Sequence, residues 1–316
     1  MRRRIFAKIF FIFLTSIIAL SVAAYFLAKP VLLPIINKEL QKIFKESSVS
    51  DFTLTKDFIE FQGIEIRESG SYDLKIKNAK IYYKLRSIFN NGIERIEGFK
   101  LNVTSFKTSL FEIEGVVLNA FRNQDKGEFY IKAINYNKLK IGDIVGKSGL
   151  EGSILNINPV LVSFLGGSVK GELNISLDQY MNYNLKLNSL GLEIKRLIDD
   201  MEFNDKFDMT GRLDGEFSLS GNLLGIKDIK GYFNTDTNGG VLIIKDKTFL
   251  ENIAKQSNQS LDIIVESFRN YNYNDGIIKL GMESGNLAMD MSLDGKAGKR
   301  SLTIVLHDFN KGKEKP

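Results

Sequence analysis

The chain contains no cysteine, which excludes thiol nucleophiles, disulfides and cysteine-ligated metals. Its single histidine, His307, cannot complete a histidine metal cluster or a histidine-dependent triad within one chain. There is no tryptophan, and there are only four prolines in 316 residues. Proline interrupts helices and sheet ladders, so its scarcity favours long elements. A concentrated charge of one sign is also missing. Arg2, Arg3, Arg4 and Lys8 supply most of the formal net charge of +5 and leave 39 basic against 38 acidic residues over 9–316. With the signs interleaved, that body lacks the basic face a nucleic-acid partner requires. Hydrophobic residues at 43% and charged residues at 26% give the balance of a folded chain rather than a disordered one.

One long run carries no charge at all, Ile9 to Ala28 (IFFIFLTSIIALSVAAYFLA). Twenty helical residues span about 30 Å, the thickness of a bilayer core. The basic residues of 1–8 precede it, which places a short cytoplasmic tail before a single-pass anchor. Ser21-Val22-Ala23 also offers small residues at the spacing of a signal-peptide cleavage site. The apolar run continues unbroken past it, which favours an uncleaved anchor over 9–28. Either way, residues from 30 onward are expected outside the cytoplasm. Pro30 and Pro34 end the run, and Leu32, Ile36, Leu40 and Ile43 then recur at helical spacing. An amphipathic helix is expected within 30–46, either packed on the first strands or lying on a membrane surface.

From about residue 50 the period changes from helical to two. Phe207, Met209, Leu213, Phe217 and Leu219 alternate with Asp208, Thr210, Arg212, Asp214, Glu216 and Ser218, while Gly211 and Gly215 fill the apolar side. Such alternation is the mark of a strand with one apolar and one wet face. Read as one piece, Phe207–Leu219 is a thirteen-residue strand roughly 44 Å long. The same alternation runs through 169–177 and 183–187, and weaker strand signals stand at 52–54, 59–66, 72–76, 99–103, 115–119, 128–134, 150–157, 226–234, 241–244, 276–282, 287–293 and 302–306. Fifteen to eighteen strands are expected, interrupted by helices near 85–89, 192–201, 248–256 and 260–271. In the last of these, Leu261, Ile264, Val265 and Phe268 form one stripe. Asn90-Asn91-Gly92 reads as a turn. Glycines recurring inside strands at Gly171, Gly211, Gly231 and Gly281 permit local bending, so the sheet is expected to curl into a trough. The fold class is mainly β: an N-terminal transmembrane helix, then an elongated, curled antiparallel sheet over 50–310 forming an open β-groove, with a few amphipathic helices and a flexible tail at 311–316.

Chemical motifs are scarce. Gly142-Asp-Ile-Val-Gly146-Lys147-Ser148 imitates a phosphate-binding loop but has three residues between its glycines where four are needed, and no helix is expected after it. Asp199-Asp200 with Glu202 and Asp205 lacks calcium-loop spacing and reads as a solvated helix end. No catalytic residue, metal or cofactor is expected, and the chain does not read as an enzyme.

Two stretches carry a family resemblance. The anchor, the proline-containing segment Pro30–Phe44 and the short strands of 52–103 resemble the opening of AsmA-like proteins. The series Gly211-Arg-Leu-Asp-Gly-Glu-Phe-Ser-Leu-Ser-Gly221, Ile229-Lys-Gly231, Gly239-Gly-Val-Leu242 and Phe249-Leu-Glu-Asn-Ile253, followed by Phe268-Arg-Asn-Tyr-Asn-Tyr273 and Leu287-Ala-Met-Asp-Met-Ser-Leu-Asp-Gly295, resembles the AsmA-type C-terminal part, about 167–310, closest to the YdbH-type branch. The resemblance implies an inner-membrane protein of a double-membrane envelope whose periplasmic β-groove carries phospholipid. The large members are far longer, so this chain is not expected to span the periplasm unaided.

Two functions follow as expectations. In the first, the apolar face is a slide for phospholipid acyl chains, lined by Leu173, Ile175, Leu177, Leu185, Leu187, Met209, Leu213, Phe217, Leu219, Leu287, Met289, Met291 and Leu293. The membrane, phospholipid and envelope proteins that extend the groove are then the partners. In the second, two sheets close face to face and the chain is an anchored scaffold in envelope biogenesis.

Overall fold

The computed structural model describes residues 29–69, 71–84, 96–109, 111–122, 127–136, 138–178, 180–222 and 225–306. The expected anchor over 9–28, the helix near 85–89, the turn at 90–92, His307 and the tail lie outside them. Among the described residues no helix is long and apolar enough to cross a membrane.

Strands make up 66% of the structure, so the fold is mainly β. A helix over residues 29–43 (α1) leads into ten successive strands: β1 Glu46–Leu54, β2 Phe58–Glu68, β3 Tyr72–Tyr83, β4 Ile96–Thr108, β5 Glu112–Phe121, β6 Gly127–Tyr136, β7 Leu139–Glu151, β8 Ile154–Phe164, β9 Gly167–Ser176 and β10 Tyr183–Glu193. Helix α2 (Ile194–Asp200) and β11 (Phe207–Met209) precede β12 (Arg212–Asn222), β13 (Gly225–Thr235) and β14 (Gly240–Ile244). Helices α3 (Lys247–Ser257) and α4 (Leu261–Phe268) then lead to β15 (Tyr271–Tyr273), β16 (Asp275–Glu283), β17 (Asn286–Asp294) and β18 (Arg300–Leu306). Fifteen of these strands form one antiparallel sheet, ordered β1 to β10, then β12, β13, β16, β17 and β18. Strands β11, β14 and β15 form a second, three-stranded sheet.

The long sheet is not strongly curled, contrary to the expected trough. Gly171 and Gly231 make room for neighbouring side chains, whereas nothing lies within 4 Å of a Cβ built at Gly281. A Cβ at Gly171 would lie 2.7 Å from the Leu187 side chain, and one at Gly231 would lie 2.9 Å from Phe233. Large residues of the adjoining backbone lean over the gaps that the glycines leave.

Phe207–Leu219 is two strands. Residues 207–209 belong to the small sheet, and the chain enters the long sheet only at Arg212. The break falls at Gly211, whose φ of +122° is one that L side chains rarely adopt. Likewise 150–157 is a hairpin, with β7 ending at Glu151 and β8 starting at Ile154 around Gly152 (φ +56°). The phosphate-loop imitation at 142–148 is extended chain within β7.

In each of the first eight strands, two apolar residues that share a face stand three apart rather than two. They are Val49/Phe52, Phe61/Ile64, Ile76/Ala79, Val103/Phe106, Ile113/Val116, Ile131/Ile134, Ile141/Ile144 and Ile157/Val160. Each pair brackets one extra residue, as in a β-bulge. At Gly63, Gly115 and Asp143 the backbone takes the positive φ that accommodates it. The skips coincide within β1–β3 and within β4–β7, and register shifts between β3 and β4, β7 and β8, and β8 and β9 take up the others, so the apolar set stays on one side.

Both ends of that side are covered. At the start, Leu33, Ile36, Leu40 and Phe44 of α1 and the residue after it pack on Val49, Ile64 and Ile66. The expected stripe is therefore rotated: Leu32 and Ile43 are exposed and Leu33 and Phe44 take their places. Asn37 fastens the helix to the free edge of the sheet. Its side chain accepts from the Val49 amide at 2.6 Å and donates to the Val49 carbonyl at 3.1 Å. Two such bonds contribute about 1–2 kcal/mol, a five- to thirtyfold effect on local opening. Asn37→Ala is expected to speed amide exchange across 29–43 by that factor while β5–β10 are unchanged. Unchanged exchange in α1 would mean that the apolar stripe alone holds it.

At the other end, α2, α3, α4 and the small sheet form a second layer. Leu242, Ile244, Leu250, Ile264, Phe268, Tyr271 and Tyr273 bury against Leu213, Ile278, Met291, Leu293 and Leu302 of the long sheet. In α4 the stripe is Leu261, Ile264 and Phe268, and Val265 faces out. The middle is different. The cluster around Leu118, Phe129, Ile144, Leu155 and Ile157 draws its described members from β4 to β9 and the residue after β9, and none from a facing layer.

Candidate functional site

Register aligns the uncovered and covered parts of the apolar side into one row. Reading across the long sheet, Phe52, Phe61, Ala79, Leu101, Leu118, Phe129, Gly146, Val160, Gly171, Leu187, Phe217, Gly231, Leu280, Met289 and Ile304 are successive cross-strand partners. Every one of the fifteen strands contributes, and no member is polar. At about 4.8 Å per strand the row is roughly 70 Å long. A neighbouring row runs Gly127, Ser148, Ile157, Leu173, Leu185, Leu219 and Ile229. It too carries no charge, and its one hydroxyl, that of Ser148, is buried and donates to the Asn119 carbonyl at 2.6 Å. The Tyr183 phenol stands two residues from Leu185, and burial raises its pKa, which keeps it neutral. The opposite face of the same strands is wet and paired in charge, with cross-strand contacts such as Lys186–Glu172 (3.6 Å) and Lys80–Glu60 (3.6 Å).

The row starts and ends in hollows. Beside α1, a concavity of about 500 Å³ is lined by Ile35, Ile36, Leu40, Ile43, Val49, Phe61 and Ile64, with Glu39 and Lys42 at the helix. Under the C-terminal layer lies a cavity of about 240 Å³ whose sixteen lining residues are all apolar. Its floor is Leu213, Ile278, Met289, Met291, Leu302 and Ile304 of the long sheet. Its walls come from α2, the turn after it, α3 and the small sheet, including Ile198, Phe203, Met209, Leu242, Ile244 and Phe249. Four of the seven methionines of the chain, Met201, Met209, Met289 and Met291, line it. Thioether side chains adapt their shape to what they meet.

No family model, curated protein or solved structure matches this chain.

The thirteen residues expected to line a groove divide by position. Leu173, Leu185 and Leu219 are consecutive partners in the neighbouring row, and Leu187, Phe217 and Met289 belong to the long one. Ile175, Leu177 and Leu287 are half-buried beside them. Met209, Leu213, Met289 and Met291 line the C-terminal cavity. Met209 reaches it from the small sheet, because the chain breaks at Gly211. Leu293, 1% exposed, is sealed within the core of the closed end and faces neither the open surface nor the cavity. The sequence reading missed Phe61, Leu101, Leu118, Phe129 and Val160, which build the first half of the row. It also missed the helical walls of the cavity. The three-residue spacing of apolar pairs was the available signal for the former. Among the described residues no cluster of three or more metal-ligating side chains occurs.

Proposed function

We propose that this chain is an inner-membrane-anchored envelope protein whose periplasmic apolar face binds or conducts phospholipid acyl chains. In this reading the weakly curled sheet serves as an open apolar surface for the chain, and the AsmA-like, YdbH-type resemblance of the sequence points the same way. One observation carries the reading: an uncharged row crosses all fifteen strands, and among the described residues the cluster in its middle, where Leu118, Phe129 and Val160 are buried by side chains of neighbouring strands, has no member from a facing layer. A methylene removed from water is worth about 0.8 kcal/mol, so ten methylenes sheltered on one side only are held by about 4 kcal/mol. That suits a surface which must hold a chain and still let it move. The hollow beside α1 lies just after the apolar run 9–28, where an acyl chain leaving the membrane would first meet the sheet. No catalytic group is needed for such transfer.

The closed C-terminal layer favours a second reading, an anchored scaffold that docks another envelope protein. A photoreactive amino acid placed at Leu185 in the full-length chain separates the two. Lipid handling predicts a phospholipid adduct at Leu185 after irradiation in cells, and none when the probe is at Lys186 on the wet face. A protein adduct at Leu185 without lipid selects the scaffold.

A further inference from the structure

We infer that the C-terminal cavity is a seat for the methyl end of one hydrocarbon chain whose remainder lies along the apolar row. This rests on the lipid-handling reading and adds to it a fixed terminus and an orientation. Four observations support it. The lining offers no hydroxyl, amide or charge, so neither water nor a headgroup finds a hydrogen-bond partner there. An apolar cavity of about 150 Å³ stays dry and takes a benzene-sized ligand. At about 240 Å³ this one has room for a short hydrocarbon segment, and too little for two chains or a headgroup as well. Four methionines give the walls the compliance that a flexible, featureless ligand needs. Finally, Met289 and Ile304 belong both to the cavity and to the fifteen-strand row. A chain lying along the row therefore reaches the cavity without crossing a polar strip.

The arrangement sets a direction. The methyl end goes under the layer formed by α2, α3 and the small sheet, and the carboxyl or headgroup end stays toward the middle of the sheet. The same chemistry is offered by a free fatty acid and by an acyl chain of an intact phospholipid.

The test uses the full-length wild-type chain and palmitic acid carrying a diazirine at its terminal carbon. A matching phosphatidylethanolamine bears the same acyl chain, and a third probe has its diazirine next to the carboxyl group. After irradiation and digestion, the terminal probes are expected to mark Met209, Met289 and Phe249. The carboxyl-end probe is expected to mark these residues at least tenfold less and to mark the strands of the open middle instead. Labelling by the phospholipid assigns the seat to intact lipid, labelling by the acid alone assigns it to free fatty acid, and either supports it. Leu242→Phe, which narrows the cavity, is expected to cut cavity labelling at least tenfold while adducts at Leu185 and Leu219 persist. Terminal-probe adducts on Leu185 or Leu219 with none in the cavity overturn the seat and leave lipid handling standing. So does equal labelling of the cavity by both ends. No adduct from any probe removes both.

Discussion

Leu219→Asp is expected to strip the protein of more than nine-tenths of its bound lipid. Leu219 is half-buried in the middle of β12, between Leu185 and Ile229 on the uncovered apolar side. A hydrocarbon chain crossing that point covers whatever side chain it meets. Covering a leucine is favourable, whereas an unpaired carboxylate resists losing its water by several kcal/mol. A loss of 1.4 kcal/mol is already tenfold. The fold tolerates the change, because Leu219 is only partly buried. Losing a half-buried leucine costs about 1–2 kcal/mol, a melting shift of a few degrees in a chain of this size. Ser218→Asp is the matched control. Ser218 is one residue away on the wet face, opposite Lys186 and Lys230, where a carboxylate finds partners. Mass spectrometry of lipid extracted from both proteins gives the comparison. Equal lipid in Leu219→Asp and wild type would show that this face does not carry the chain.

How much of this was legible in the sequence depends on where the period of two survives. Over 169–187 the strands have no skip, and Val169, Leu173, Ile175, Leu185 and Leu187 take the sides their alternation assigns. The first eight strands each carry an extra residue between apolar pairs such as Phe61 and Ile64 or Ile141 and Ile144. An alternation template breaks there into short fragments, although the strands are nine to thirteen residues long. Two further errors share a cause: the pattern of hydrophobicity does not record direction. Alternation runs unbroken from Phe207 to Leu219 while the backbone leaves one sheet and enters another at Gly211. Apolar residues also continue from Leu150 to Ile157 around the turn at Gly152. The stripe of α1 was misplaced by one residue because the helix is apolar on more than one side. Val31, Leu32, Ile35 and Ile43 remain exposed beside the packed Leu33 and Ile36. Register lies beyond any single-strand reading. Nothing in the local sequence says that Gly146 faces Val160, or that Met289 ends a row begun by Phe52.

Tyr273→Ala is expected to release the C-terminal layer while the rest of the long sheet stays folded. Tyr273 is 2% exposed, and its hydroxyl donates to the carbonyl of Thr210, the residue after β11, where the chain turns toward β12. Three glycines make room for it. A Cβ at Gly211 or Gly240 would lie 2.5 Å from the hydroxyl, and one at Gly239 would lie 2.0 Å from the Tyr273 carbonyl. This one side chain therefore ties β15 to the junction between the two sheets. Truncating a buried aromatic costs about 3–5 kcal/mol. The layer is joined to the long sheet mainly by side-chain packing, so the loss is expected to open it as a local unit. Amides in β11, β14, β15, α3 and α4 should then exchange at least a hundredfold faster, with β2 to β8 unchanged. Tyr273→Phe removes only the hydroxyl and leaves the Thr210 carbonyl short of a donor, at about 1–3 kcal/mol. The two variants also differ in alkali. Burial, helped by the nearby Asp236, holds the Tyr273 phenol well above the ordinary tyrosine range. Its contribution is therefore intact below the unfolded value of about 10 and is lost progressively as pH rises above it. The wild-type layer is expected to lose protection above that pH, and Tyr273→Phe to lose less. Identical alkaline profiles for the two proteins would place the tyrosine outside the control of this layer.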